Sequence, residues 1–169
     1  MRPLAEVAHA LALAVTLIGG GFLLAVLWFD LKFDVLAWSA LLHGSELSED
    51  AMQAIITYYR QATGTESSGL PLIMMMMALS VVAALVQTGR SQLPLMLRGA
   101  ALLFLVAPIA LAGGRVVPNA RILATQTMDL QTQTDLAILI LHDHLYCFSS
   151  ITAFLLLQLW IAGRYSLQR

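Results

Sequence analysis

The chain has 169 residues, of which 59% are hydrophobic and only 11% charged, with a formal net charge of −1. Soluble domains average about 25% charged residues, so a water-soluble globular protein is excluded, and the mean hydropathy of +0.80 agrees that most of the chain must meet lipid. No basic tract suggests nucleic acid as a partner, and Cys147, the single cysteine, permits no intrachain disulfide.

A helix needs about 20 apolar residues to cross the hydrocarbon of a bilayer, and open strands leave their backbone unsatisfied there. Helical spans are therefore expected. The first covers about residues 4–29. It follows Met1-Arg2-Pro3 directly, is too long for a signal peptide and lacks a cleavage site, so it is expected to be retained. Gly19, Gly20 and Gly21 would let a neighbouring helix approach closely. Asp30 and Asp34 close this span at i,i+4 spacing and so share a face.

The connection from Asp30 to Gly69 is long enough for a helix of its own, over about residues 49–62. Ser48 is a plausible N-cap, and Glu49 and Asp50 suit the first turn. Tyr58, Tyr59 and Arg60 lie on this amphipathic stretch, where the tyrosines read as interfacial anchors. Thr63 to Gly69 reads as a turn-rich exit. The second span covers about residues 70–86. Its run Met74-Met75-Met76-Met77 spreads the sulfurs around the helix, which favours packing or lipid contact over a copper site. Gln87 to Gln92 is a short connection containing Arg90.

The third span covers about residues 93–112, with Pro94 suited to a first turn and Pro108 expected to kink it. A polar connection, Gly113 to Asp135, holds Arg115 and Asn119 and is expected to be partly helical after Pro118. The fourth span covers about residues 136–161 and contains His142-Asp143-His144. Trp28, Trp38 and Trp160 fit interfacial positions. The expected architecture is all-α: residues 1–169 as one membrane domain, a four-transmembrane-helix bundle with an extra amphipathic helix in the first extracytoplasmic loop.

Charges divide across these spans. Arg2, Arg90, Arg98, Arg164 and Arg169 stand against Glu6 on one side. On the other, Lys32, Arg60, Arg115 and Arg121 are outnumbered by carboxylates. The positive-inside rule then places both termini in the cytoplasm of a bacterial inner membrane.

Ionisable groups at membrane depth mark a functional site by default. With that topology Asp30, Asp34, Arg115, Asn119, His142, Asp143 and His144 gather near the outer rim. His142 and His144 are about 200° apart around a helix, so they form a poor bidentate clamp. His144 shares a face with Cys147. Three uses of the cluster follow from the residue types: metal or haem binding through a neutral imidazole, proton handling beside a quinone-like substrate, or a structural Asp143–Arg115 ion pair. Asp30, Asp34 and His142 are the metal candidates, and His144 and His9 the cofactor candidates. His9, near the inner end of span 1, should differ from His144 by roughly 20 Å in height.

His9, Gly19-Gly20-Gly21-Phe22 and the aromatic end Trp28-Phe29 resemble the first span of small four-helix membrane proteins of the CopD, HemJ-like and anthrone-oxygenase-like group. The stretch Arg115-Val116-Val117-Pro118-Asn119-Ala120-Arg121, then Leu141-His142-Asp143-His144-Leu145 and Ser149, is similar to their last half. The resemblance implies a four-helix fold and, for HemJ-like members, haem b on a first-span histidine, which maps onto His9. Those members also use a basic residue in the third span, where this chain offers Arg98. Arg does not replace Lys directly, so the likeness implies a relative with an activity other than protoporphyrinogen oxidation.

The expected function is that of a redox- or cofactor-linked protein (haem, metal or quinone) with an outward-facing site of His144, Asp143, Arg115, Asn119 and Asp34. His144 would bind a cofactor, haem b or a divalent or copper ion, or carry a proton. Asp143 would tune it and Arg115 hold a negative group. The alternatives are an accessory subunit of a larger membrane complex and a small-solute or metal transporter, the latter disfavoured by few spans and no visible repeat. The expected partners are the lipid bilayer, other membrane subunits or a second copy of the chain.

Overall fold

The computed structural model describes residues 2–64, 69–90 and 94–167, and the described residues are helical almost throughout. Helix α1 spans Arg2–Asp34 and passes through a 3-10 turn, Val35–Ala37, into the short α2, Trp38–His43. Gly44 ends α2 at φ 62°, a left-handed conformation that glycine adopts without penalty. Helix α3, Glu49–Thr63, starts where the Ser48 hydroxyl accepts the Ala51 N–H at 3.3 Å. Helix α4 is Gly69–Arg90 and α5 is Leu95–Leu111. A π turn over Ala112–Val116 leads into α6, Val117–Ala124, and α7 runs from Leu130 to Leu167. The expected turn over Thr63–Gly69 falls mainly on residues outside the described set, as does the end of the Gln87–Gln92 connection.

Among the described residues, four stretches are long and apolar enough to cross a membrane: Ala10–His43, Gly69–Gly89, Leu95–Ala124 and Leu130–Arg164. They correspond to the four expected spans, but each is longer than expected, the second by only a turn. Asp30 and Asp34 do not close the first stretch, which continues through the 3-10 turn into α2, because their carboxylates find partners in side chains packed against the helix. The third helix does not stop at Ala112. Pro108 lies within α5, and beyond it the chain stays helical through a π turn into α6. Helix α7 starts six residues early because Asp129 caps it, accepting the Thr132 N–H at 3.0 Å.

Polarity is arranged inside out relative to a soluble protein. Thr16, Ser80, Gln87, Asp143, His144 and Gln158 are buried, while Leu11, Ile18, Leu103 and Leu156 are more than 60% exposed. That is the arrangement lipid demands of a helix bundle. Helix α1 packs between α4 and α7, with α5 on the other side of α7. A Cβ on Gly19 would lie 2.0 Å from the Ser80 hydroxyl on α4, and one on Gly20 would lie 2.7 Å from Leu155 on α7. These two glycines set the close approach, whereas Gly21 meets nothing within 4 Å.

Two apolar cores result among the described residues. One lies between the long helices, around Leu23, Ala84, Leu105, Ile151 and Phe154. The other lies at the end of the bundle where α1 gives way to α2, around Ala40, Ile55, Ile56, Leu123 and Ile140. It joins α2, α3, α6 and the first turns of α7 into a cap. The buried ionisable residues Asp34 and His144 lie where cap and bundle meet.

Candidate functional site

Helix α1 brings Asp30 and Asp34 to one face, one turn apart. Helix α7 brings His144 against them, and α3 in the cap brings Tyr58 and Tyr59. The His144 Nδ1 lies 2.5 Å from the Asp34 Oδ2, so this nitrogen carries the proton and donates it. The Tyr59 hydroxyl donates to the other Asp34 oxygen at 2.5 Å, and the Tyr58 hydroxyl donates to Asp30 Oδ1. The remaining His144 nitrogen, Nε2, stands 3.7 Å from Asp30 Oδ2, too far for a hydrogen bond.

Burial enforces these pairings. Asp34 is 1% exposed, Tyr59 2% and His144 4%, and an unsatisfied buried polar group is costly. Tyr58 stacks on Phe33 with ring centroids 4.1 Å apart, which fixes the angle at which its hydroxyl reaches Asp30. Burial and the nearby carboxylates push both phenols well above the ordinary tyrosine range, so they remain donors at any physiological pH.

A cavity of about 830 Å³ opens beside this cluster. Asp30, Tyr58, Tyr59 and His144 line its polar end, whereas Asp34 stands behind the imidazole and does not line it. Apart from Thr63 and Arg121 the rest of the wall is mainly apolar, running past Met77 and Cys147 to Leu23 and Ile151. The arrangement is that of an oriented imidazole. Asp34 fixes the tautomer, Nε2 faces the cavity, and Asp30 stands across from it as a second proton acceptor.

The expected five-residue outer site does not form as one unit. Asp34 and His144 are together, but Asp143 turns away and pairs with Arg115, whose Nε donates to Oδ2 at 2.7 Å and whose Nη2 donates to Oδ1. Consecutive residues of a helix are about 100° apart, so His144 aims at α1 and Asp143 at the π turn. The two residues that expectation assigned to one mechanism therefore serve different neighbours. Arg115 and Asp143 line a separate cleft with His142 and Tyr146. Asn119 is half-buried and hydrogen-bonds to neither cluster among the described residues.

The expected metal set of Asp30, Asp34 and His142 is not brought together. His142 is exposed on another face of α7, and among the described residues no group of three His, Cys, Asp or Glu side chains converges to hold a metal ion. The two aspartates address opposite nitrogens of one ring instead of a common point. The side chain of His9 lies outside the described set. Its backbone belongs to the same continuous helix as Asp34, about 37 Å away at 1.5 Å per residue. A haem bridging His9 and His144 does not fit that spacing.

Two contributors escaped the sequence reading: the tyrosines, taken there as anchors, and Asp30 as a group facing the imidazole. The signal available was the i,i+4 pair of carboxylates on a buried face, which demands donors, and the adjacent tyrosines on a helix with one apolar side. No family model, curated protein or solved structure matches the chain.

Proposed function

We propose that this protein is a redox-linked, multi-pass membrane protein that binds a lipophilic molecule with a protonatable, quinone-like head group and exchanges a proton with it. The observation that carries this reading is the apolar cavity whose polar end holds an oriented imidazole and a facing carboxylate. Apolar walls with a few placed polar groups are the usual character of a small-molecule site. A quinol hydroxyl seated between His144 Nε2 and Asp30 can give its proton to the imidazole, while Asp34 stabilises the imidazolium that forms. This chain would take up the protons that quinol oxidation releases, and a redox partner in the membrane would accept the electrons.

In this reading both termini are cytoplasmic and α3 is an amphipathic lid on the outer face. Its apolar side, Met52, Ile55 and Ile56, turns into the cap and Gln53, Thr57 and Arg60 face water. Kinship with the CopD, HemJ-like and anthrone-oxygenase-like proteins belongs to the same proposal and is supported by short motifs alone.

The test is extraction of the protein purified in native-lipid nanodiscs. The extract should give an oxidised-minus-reduced ultraviolet difference spectrum of the quinone type, enriched over lipid from empty discs and lost in His144→Ala. Extracts with no enrichment, from a protein that also fails to bind decyl-ubiquinone, would overturn the reading.

A further inference from the structure

Resting on that reading, we propose that the ligand enters sideways from the bilayer, through a slot between α4 and the α5–α6 run, and is gripped along α4 by a long apolar chain. Met74, Ala78 and Val82 form a single stripe at i,i+4 spacing on α4. They line the cavity, and all three are exposed on the outside of the protein, Met74 by 62% and Val82 by 58%. A side chain that lines a cavity and also faces outward marks its mouth. The opposite rim is a second stripe, Ile109, Gly113 and Val117, at the same spacing. At Gly113 the rim has no side chain, and an added Cβ would meet nothing within 4 Å.

Both rims belong to stretches apolar enough to cross a membrane, so the slot opens onto acyl chains. Its length follows from helix geometry. Gly69 to Val82, both in the cavity wall, spans about 20 Å at 1.5 Å per residue. The splay has a structural cause. A short connection joins α4 to α5 at one end, but α4 packs mainly on α1 and α5 mainly on α7, and the residues of α4 and α5 that line the cavity lie toward the cap. On the cap side Tyr58, Tyr59 and Ala62 roof the cavity.

A groove of this length, with acid–base chemistry confined to one end, suits a molecule with one long hydrocarbon tail dissolved in the bilayer. The tail would lie against Ile73, Met77 and Val81 and the head would reach Asp30 and His144. The flexible thioether of Met77 can follow an irregular chain.

The test uses the full-length protein in nanodiscs with two probes, decyl-ubiquinone and its tail-less parent ubiquinone-0. Wild type should bind the long-chain probe at least about tenfold more tightly, a difference of about 1.4 kcal/mol. Ala78→Trp and Gly113→Leu, one on each rim, should each weaken long-chain binding by about tenfold and leave tail-less binding within about twofold. Their folding is checked by size-exclusion profile and Tm, and either rim variant alone suffices. Equal affinity for the two probes, with both rim variants neutral, would overturn the sideways entry and leave the head-group reading standing. Failure of wild type to bind either probe would overturn both.

Discussion

Asp34 shows how much depends on single donors at the junction of cap and bundle. It is 1% exposed, and its two oxygens are satisfied by His144 and Tyr59. Tyr59→Phe removes one donor, keeps the ring, and leaves a buried carboxylate oxygen unpaired. The expected loss is about 1–3 kcal/mol, seen as a lower Tm in detergent, whereas an unchanged Tm would show that the hydroxyl is not needed there. Gly19 works by absence. Gly19→Val would drive a side chain into Ser80, whose hydroxyl already lies 2.0 Å from an added Cβ. Ser80 is held by its bond to the Met76 carbonyl at 2.7 Å and has little room to yield. That variant should lose at least about 1–3 kcal/mol through overpacking, and a Gly21→Val control, which meets nothing, should keep its Tm. The close-approach role of the glycines was legible in the sequence because small residues in a span have few other uses. Tyr59 was not, because its partner Asp34 lies far off in the chain and only burial reveals that the carboxylate needs a donor.

Helix boundaries follow capping chemistry. Asp129 accepts the N–H and the hydroxyl of Thr132, at 3.0 and 2.8 Å, and these bonds hold its pKa below the ordinary carboxylate range. A depressed folded pKa means the cap contributes fully above the unfolded value of about 4. The contribution fades as the pH falls through the lower folded value. Amide protection in the first turn of α7, corrected for intrinsic exchange, should therefore drop in that acid window. In Asp129→Asn it should be flat across it, and a wild-type profile equally flat would refute the assignment. Local signals such as the Ser48 cap and Pro94 were readable directly. The length of α7 and the passage of α5 into α6 were not. Polar residues such as Arg115 read as loop until a buried partner, here Asp143, is seen to hold them inside a helix.

At the scale of the molecule, four apolar stretches carry a cap at one end, and the His144–Asp34–Tyr59 cluster sits on the seam between them. Composition alone announced the membrane helices. The polar residues near one rim were also legible as a group, since so few ionisable side chains interrupt the spans. What the sequence could not divide was that group itself. Asp143 and His144 are neighbours in the chain, yet the rotation of one residue sends the first to Arg115 and the second to Asp34. The cavity was invisible too, because it is the space left where α4 and α5 follow different partners.

The account turns on which of those two clusters meets the ligand. The most direct measurement is the equilibrium binding of decyl-ubiquinone to the protein in nanodiscs, compared among wild type, Asp30→Asn and Arg115→Ala. Wild type should bind saturably above empty discs, Asp30→Asn should bind at least about tenfold more weakly, and Arg115→Ala should match wild type. Saturable binding that survives Asp30→Asn and collapses in Arg115→Ala would contradict the account.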